Sequence, residues 1–326
     1  MSTSITSNPN FGYDTSAEEV AASLAPSIAG KTILVTGVTQ GGIGAHFLDV
    51  VASHNPKTLI LAGRNPKNTA TAISNAHVGV ETRTVELDLS SQAKVREAAE
   101  EVLSWPGPLD VLVNNAGVMA VPHQLTADGI EMHFGTNFLG HFLFTNLLMP
   151  KLLQSELGPR VVNVSSDGHQ LSDIRWDDLD FKKGEVYEKW RAYGQSKTAN
   201  ILFNTSLVEK LAAKGVKAFT LHPGIIQTNL GRHMRPEDFA ALEAFAKETG
   251  EKRGEQTTLK FKTIGQGAAT HVVAAFDPKL NDHNGVYLFD CQLAAPKELE
   301  PYAVDKDSAA RLWELAEKLV GQKFSY

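Results

Sequence analysis

Thr32-Ile33-Leu34-Val35-Thr36-Gly37-Val38-Thr39-Gln40-Gly41-Gly42-Ile43-Gly44 is the stretch on which the fold turns. Its opening run is β-branched and apolar with no polar alternation, as in a strand buried on both faces. Glycines follow at once, and a helical stretch then runs to about Ser53. A strand, a glycine turn and a helix start, in that order, make the context of a dinucleotide fingerprint. Glycine permits the tight turn and lets the backbone come close to a pyrophosphate. The free N–H groups of the helix start then stabilise the anion. Gly37, Thr39, Gly41, Gly42, Ile43 and Gly44 are therefore candidate cofactor contacts.

Outward from this stretch, strand and helix alternate. A second buried strand is predicted over 58–62, and further strands over 78–87, 110–113, 160–164, 216–221 and 285–289. Helices are predicted over 91–103 with Ser90 as N-cap, over 128–153, from the end of a polar loop at 167–189 to about 213, and over 307–319. The expected fold is α/β: a Rossmann-type, doubly wound parallel sheet of about seven strands in a single domain over 30–326. Residues 1–29 read as a loose leader or a short packed arm. The stretch 231–262 is polar and outside the β-α rhythm, and is expected to be a C-terminal insertion covering the substrate.

The chain has 326 residues, 42% hydrophobic, with a net charge of -6. That charge gives no general attraction to nucleic acid or to anionic membranes. A single cysteine, Cys291, excludes an internal disulfide and a cysteine-based zinc cluster. The start of the chain lacks the basic and apolar parts of a secretory signal, and no stretch is apolar for long enough to span a bilayer. A soluble, cytoplasmic protein is expected. His169, His222 and His271 have no metal-ligand spacing, so no metal is expected. Trp176 and Trp190 flank the 167–189 loop, either at a substrate mouth or in plain packing.

The end of the second strand bears on the choice of nicotinamide. A site for NAD places an acidic residue there for the ribose 2′-hydroxyl. Ala62-Gly63-Arg64-Asn65 offers a guanidinium instead, suited to stacking on adenine and to pairing with a 2′-phosphate, with Lys67 nearby. The expected cofactor is NADP.

Tyr193-Gly194-Gln195-Ser196-Lys197 puts a phenol and an ammonium one helical turn apart on one face. An ammonium about 4 Å away at an effective dielectric of about 20 is worth up to ~4 kcal/mol to a phenolate. That would lower a tyrosine pKa by up to about 3 and let it shuttle protons near neutrality.

These motifs together resemble the short-chain dehydrogenase/reductase family over roughly residues 30–230. The resemblance is carried by the loop at 36–44, Asp88-Leu89, Asn114-Asn115-Ala116-Gly117, Asn137, Val164-Ser165-Ser166, Tyr193 to Lys197, and Pro223-Gly224 followed by Thr228. Asn137 to Phe142, Leu221 to Gly224 and the long gap between Ser166 and Tyr193 are similar to the retinol-dehydrogenase and WW-oxidoreductase group, here without a WW domain. The glycine loop is one residue longer than the family's pattern, so either Gly41 or Gly42 holds its middle position.

The resemblance implies Tyr193 as general acid or base, with Lys197 lowering its pKa and bonding the nicotinamide ribose. Ser166 holds the substrate oxygen, with Ser165 as runner-up, because neighbouring strand side chains point to opposite faces. Asn137 bends the long helix and supports a water-linked proton relay. Asn114, Asn115, Ala116 and Gly117 line the cofactor, Asp88 and Leu89 the adenine, and Pro223, Gly224, Ile226 and Thr228 the nicotinamide end. A small carbonyl or alcohol is the implied substrate, interconverted by NADP-dependent hydride transfer. Two other readings remain: a non-catalytic dinucleotide-sensing or interaction protein on the same fold, and an epimerase or dehydratase. A homodimer through the helices of Asn137 and Tyr193 stays open, since a long C-terminal tail can block that packing.

Overall fold

The computed structural model of the protein describes residues 5–248 and 260–326. Its helices are α1 (Ala17–Ser23), α2 (Ala25–Ile28), α3 (Ile43–Ala52), α4 (Lys67–Ala76), α5 (Gln92–Ser104), α6 (Gly140–Leu152), α7 (Lys189–Leu211), α8 (Pro236–Glu248), α9 (Ile264–Phe276) and α10 (Lys306–Val320). Its strands are β1 (Thr32–Thr36), β2 (Thr58–Gly63), β3 (Glu81–Glu86), β4 (Val111–Asn114), β5 (Arg160–Val164), β6 (Lys217–His222), β7 (Ile225–Ile226), β8 (Phe261–Lys262), β9 (Tyr287–Phe289) and β10 (Gln292–Leu293).

Eight strands form the main sheet in the order β10-β9-β6-β5-β4-β1-β2-β3. Seven run parallel, as the sequence predicts, and the short β10 adds an antiparallel edge. Side chains alternate between two cores because successive strand residues face opposite ways. Leu34 joins the core under α5, α6, α7 and α10. Its neighbours Ile33 and Val35 join the core under α1, α3, α4 and α9. Strand order reverses at β1, which lies between β2 and β4. In open α/β sheets that switch point opens a crevice at the carboxyl ends of the strands.

Several boundaries move for local reasons. The third strand begins at Glu81 rather than 78, and Val78 is 93% exposed in the turn before it. Ser91, not Ser90, caps α5: the Ser91 hydroxyl accepts Lys94 N–H, while Ser90 donates its own to Asp88. The helix expected from 128 starts later because Glu131 intervenes. Its carboxylate accepts the N–H groups of His133 and Phe134 and serves as a cap. The helix then opens into a π-helical turn over Phe134–Leu139 before α6.

Residues 5–29 pack against the body. Ser7 bonds Asp277 through both its N–H and its hydroxyl, and Ala17, Val20 and Ala21 of α1 enter the core beside α9. Of the stretch 231–262, residues 249–259 lie outside the described residues. At the other end, α10 and the tail cover α6 and α7. Trp313 meets Phe142 edge-on at 4.9 Å between ring centres, and the Tyr326 hydroxyl donates to Asn146.

Candidate active site

The glycine loop leaves β1 and passes over the turn that follows β4. A side chain at Gly37 would strike Ala116 Cα at 2.6 Å, and Gly37 also has φ +75°. A side chain at Gly44 would strike the Asn115 amide at 2.5 Å and the Gly37 carbonyl at 2.8 Å. Asn115 locks the turn by donating to the carbonyls of Thr36 and Gly37. Gly42 is the N-cap of α3 and offers no capping side chain, so the helix start presents bare amides. Gly41 stands one residue earlier with φ +75°. Thr39 is exposed and its carbonyl accepts the Gly42 N–H. Ile43 opens the helix, half-buried. Such a bare helix start, walled by positions where a Cβ would collide, fits the pyrophosphate of a dinucleotide.

Across the crevice, α7 carries the phenol and the ammonium. Glu188 caps it, its carboxylate accepting Trp190 and Arg191 N–H groups, which sets Tyr193 just past the first turn. Tyr193 and Lys197 are each 5% exposed. The Lys197 ammonium lies 5.5 Å from the Tyr193 ring centre and donates to the Val164 carbonyl at 3.1 Å. Burial lowers its pKa to about 8.

Gly168 brings the serine to the phenol. A Cβ there would lie 2.6 Å from Tyr193 Cε1 and 3.3 Å from Ser166 Oγ, so ring and hydroxyl flank one bare backbone position. The Ser166 hydroxyl accepts Gly168 N–H and donates to Asp167. Ser165 points elsewhere, donating to the Lys197 carbonyl. Gly117 does a similar service on the far side: a Cβ there would meet Asn137 Oδ1 at 3.1 Å and Lys197 Nζ at 3.9 Å. Asn137 sits in the π-helical turn. Its amide oxygen accepts Val118 N–H, and its amide nitrogen donates to Val118 O and Ser196 Oγ. Ser166, Tyr193, Lys197 and Asn137 thus converge at the ends of β4 and β5.

Other expected residues take varied places. Asn115, Ala116 and Gly117 reach the glycine loop or the ammonium, but Asn114 is turned into the α6 side of the sheet, bonding Thr145 and Asn163. Asp88 accepts from Ser90 N–H and Oγ, and Leu89 is buried against Gly140. Arg64 and Lys67 are exposed beyond β2. Pro223 precedes Gly224, whose φ is +89° and against which the Lys262 stem lies at 2.7 Å from where a Cβ would sit. Ile226 is in β7, pairing with Lys262, and Thr228 caps the turn that follows. Asn229, next in the chain, donates to the Gln40 carbonyl and so bridges this loop to the glycine loop. Trp190 is buried with Ala120, Leu171, Leu242 and Phe245, and Trp176 stacks under Arg311. Cys291 is buried in the β9–β10 turn.

The sequence reading passed over a buried cluster behind the phenol. Glu131 and His133 are wholly buried and bonded at 2.8 Å, and the Tyr187 hydroxyl reaches both. Burial alone would raise the Glu131 carboxyl. The bond and charge of His133, with two backbone N–H groups, outweigh it and hold the carboxyl below its usual value. The His133 ring meets the Tyr193 ring edge-on at 6.0 Å. Spacing gives no sign of this cluster, because Tyr187 arrives from a loop far along the chain.

The model of the short chain dehydrogenase family matches residues 31–176. A short-chain dehydrogenase/reductase of Penicillium rubens, prx1, is 37% identical over 90% of this chain and 86% of its own. Human retinol dehydrogenase 14 is 40% identical over 72% of this chain and 66% of its own. A chloroplastic short-chain dehydrogenase of Brassica napus, TIC 32 A, is 36% identical over 95% of this chain and 94% of its own. Among solved structures, an uncharacterised Mycobacterium paratuberculosis protein superposes with a TM-score of 0.69 at 31% identity, covering 93% of this chain and 98% of its own. The NADPH-bound carbonyl reductase from chicken fatty liver shares the fold, with a TM-score of 0.56 at 19% identity over 82% of this chain and 99% of its own.

Proposed function

The chain is an oxidoreductase of the short-chain dehydrogenase family, and from that premise we propose that it interconverts a carbonyl and an alcohol with NADP. The observation that carries this reading is the meeting of Ser166 Oγ and the Tyr193 ring over Gly168, with the Lys197 ammonium on the same helix face. The bound nicotinamide supplies or accepts the hydride. Ser166 holds the substrate oxygen by turning its hydroxyl from Asp167 toward it. Tyr193 gives its phenolic proton to that oxygen in reduction and takes it back in oxidation. Lys197 favours the phenolate that forms, and Asn137 braces Val118 and Ser196 around them.

Gly42 at the helix N-cap supports it as the middle glycine of the fingerprint, with Gly41 as the extra residue absorbed in a left-handed turn. The exposed Arg64 at the end of β2, with no acidic neighbour in Ala62-Gly63-Arg64-Asn65, supports NADP over NAD. We take 231–262 as the substrate lid of a single dehydrogenase domain over 30–326, with 1–29 as an arm. The described part of the lid packs Met234, Leu242 and Phe245 on Met119, Leu171 and Trp190, which suits an apolar substrate body. Among the described residues no helix is long and apolar enough to cross a membrane, and a cytoplasmic site of action is our reading.

The test is NADPH consumption by the purified protein across ketones and aldehydes, with NADH and Tyr193→Phe in parallel. NADPH-preferring turnover that disappears in the variant is expected. Turnover retained by Tyr193→Phe would overturn the assignment.

A further inference from the structure

His141 lies one helical turn after Asn137, so its ring folds back over the Asn137 carbonyl. The side chain is 2% exposed and both ring nitrogens are engaged. Nδ1 is 2.9 Å from the Asn137 carbonyl oxygen, and Nε2 is 2.9 Å from Thr36 Oγ1. The Asn137 carbonyl settles the direction of these bonds, because it can only accept, so Nδ1 carries the ring proton and donates to it. Nε2 of the neutral ring then accepts from Thr36, whose hydroxyl oxygen accepts the N–H groups of Asn115 and Ala116, each at 3.0 Å, and whose other acceptor, the Val113 carbonyl, is farther off at 3.5 Å. Burial lowers the His141 pKa to about 4, so the ring is neutral and keeps this tautomer at ordinary pH.

The chain of bonds does not end there. The Asn137 amide nitrogen donates to Ser196 Oγ at 2.9 Å, and Ser196 donates to the Tyr193 carbonyl at 2.7 Å. Thr36, Asn137 and Ser196 are all fully buried. One end of this line is the last residue of β1, where the glycine loop begins. The other is the helix turn that carries Tyr193. The turn between them is π-helical, a geometry in which one residue is accommodated without its usual bond and which recurs at functional sites.

We propose that His141 is a positioning residue that couples the dinucleotide loop at Thr36 to the helix of Tyr193 and Lys197. The proposal rests on the dehydrogenase reading. Dinucleotide binding fixes the loop, and Thr36 passes that constraint through the imidazole to Asn137 and on to Ser196. A neutral ring with one donor and one acceptor is the right part, because the Asn137 carbonyl can only accept and Thr36 has one hydroxyl proton to give. Its loss takes a partner from a buried carbonyl, leaves the Thr36 hydroxyl only the long contact of 3.5 Å to the Val113 carbonyl, and lets loop and helix settle separately.

The experiment compares wild type with His141→Leu and His141→Gln, full length. Amide hydrogen exchange is followed with and without NADPH, alongside ketone turnover. In wild type NADPH should slow exchange both in 36–44 and in 189–197. In His141→Leu the slowing should stay within 36–44, with kcat down on the order of tenfold and the KM for the ketone nearly unmoved. His141→Gln, which still offers an N–H and a carbonyl, should recover most of both. If His141→Leu does not fold, Thr36→Val against Thr36→Ser cuts the line at its other end. The double variant Thr36→Val/His141→Leu should cost no more than the worse single one, since both break one unit.

Wild-type protection of 189–197 and wild-type kcat in a folded His141→Leu would overturn the proposal, as would additive penalties. If wild type binds NADPH yet reduces no carbonyl, the dehydrogenase reading falls and the exchange comparison still decides on His141. If it binds no dinucleotide, both fall.

Discussion

The Lys197 ammonium stands 5.5 Å from the centre of the Tyr193 ring, in a pocket so enclosed that its own pKa falls to about 8. Among the described residues no carboxylate pairs with it; it donates to the Val164 carbonyl. The burial that strengthens its field on the phenol also makes its own charge costly. The ammonium therefore remains mostly charged at neutral pH and discharges as the pH rises through about 8.

This sets a stability test. The folded pKa of Lys197 lies below that of a free lysine, near 10.5. Folding thus carries a penalty that is full below pH 8 and fades as pH rises from about 8 to about 10.5. Lys197→Met should abolish turnover and yet stabilise the protein at pH 6.5, by up to roughly 3 kcal/mol in urea unfolding. The advantage should shrink by pH 10. A methionine variant less stable than wild type at pH 6.5 would refute the argument.

Gly168→Ala tests the closeness of serine and phenol. The new methyl would lie 2.6 Å from Tyr193 Cε1, so the ring must shift. We expect kcat to fall on the order of a hundredfold while NADPH affinity holds, because a displacement of about 1 Å at the reacting group has that effect. Stopped-flow turnover and a fluorescence titration read the two quantities. Unchanged kcat would mean that the phenol need not sit where the structure puts it.

Arg64→Asp tests the choice of nicotinamide. The side chain is exposed, so thermal stability should be nearly unchanged. The ratio of kcat/KM for NADPH over NADH should drop by about tenfold or more, as the loss of one charge-assisted contact implies. A ratio that stays fixed would remove Arg64 as the selector.

Glu131→Gln tests the buried pair behind the phenol. The Glu131 carboxyl titrates below its ordinary value in the folded protein, so it contributes stability above about pH 4.5 that is lost as pH falls through the folded value. The glutamine variant should be less stable at pH 7 by on the order of 2 kcal/mol, since a buried charged acceptor of bonds from His133, Phe134 and Tyr187 is replaced by a neutral amide. The gap should narrow as the pH falls below about 4.5. Equal stability at pH 7 would show the pair to be dispensable.

Much of the fold was legible because its signals are local. The apolar run of β1, the glycines after it and the alternation of later strands each follow from a few neighbouring residues. α9 was not legible in that way: Ile264–Phe276 is buried almost all round, so its sequence has no polar stripe to betray a helix. The start of the helical run that leads into α6 was misplaced because a carboxylate, Glu131, acts there as a cap in place of a serine or threonine. Residues 5–29 showed no pattern of their own. Their order comes from partners such as Asp277, some 270 residues away in the chain.

The site divides along the same line. The sequence by itself marked out the glycine loop and the Tyr193–Lys197 pair as candidate groups, since each has meaning within a single element. It could not choose between Ser165 and Ser166, or say what His141 and Glu131 do. Those choices depend on which residues from distant strands and loops share a face. Only the tertiary structure decided that Ser166 and the Tyr193 ring flank Gly168, that the Asn114 side chain bonds Thr145 and Asn163 beneath the sheet, and that Thr36 and Asn137 meet across one imidazole. Hydrogen bonds act over about 3 Å, and no local pattern fixes distances that close between segments a hundred residues apart.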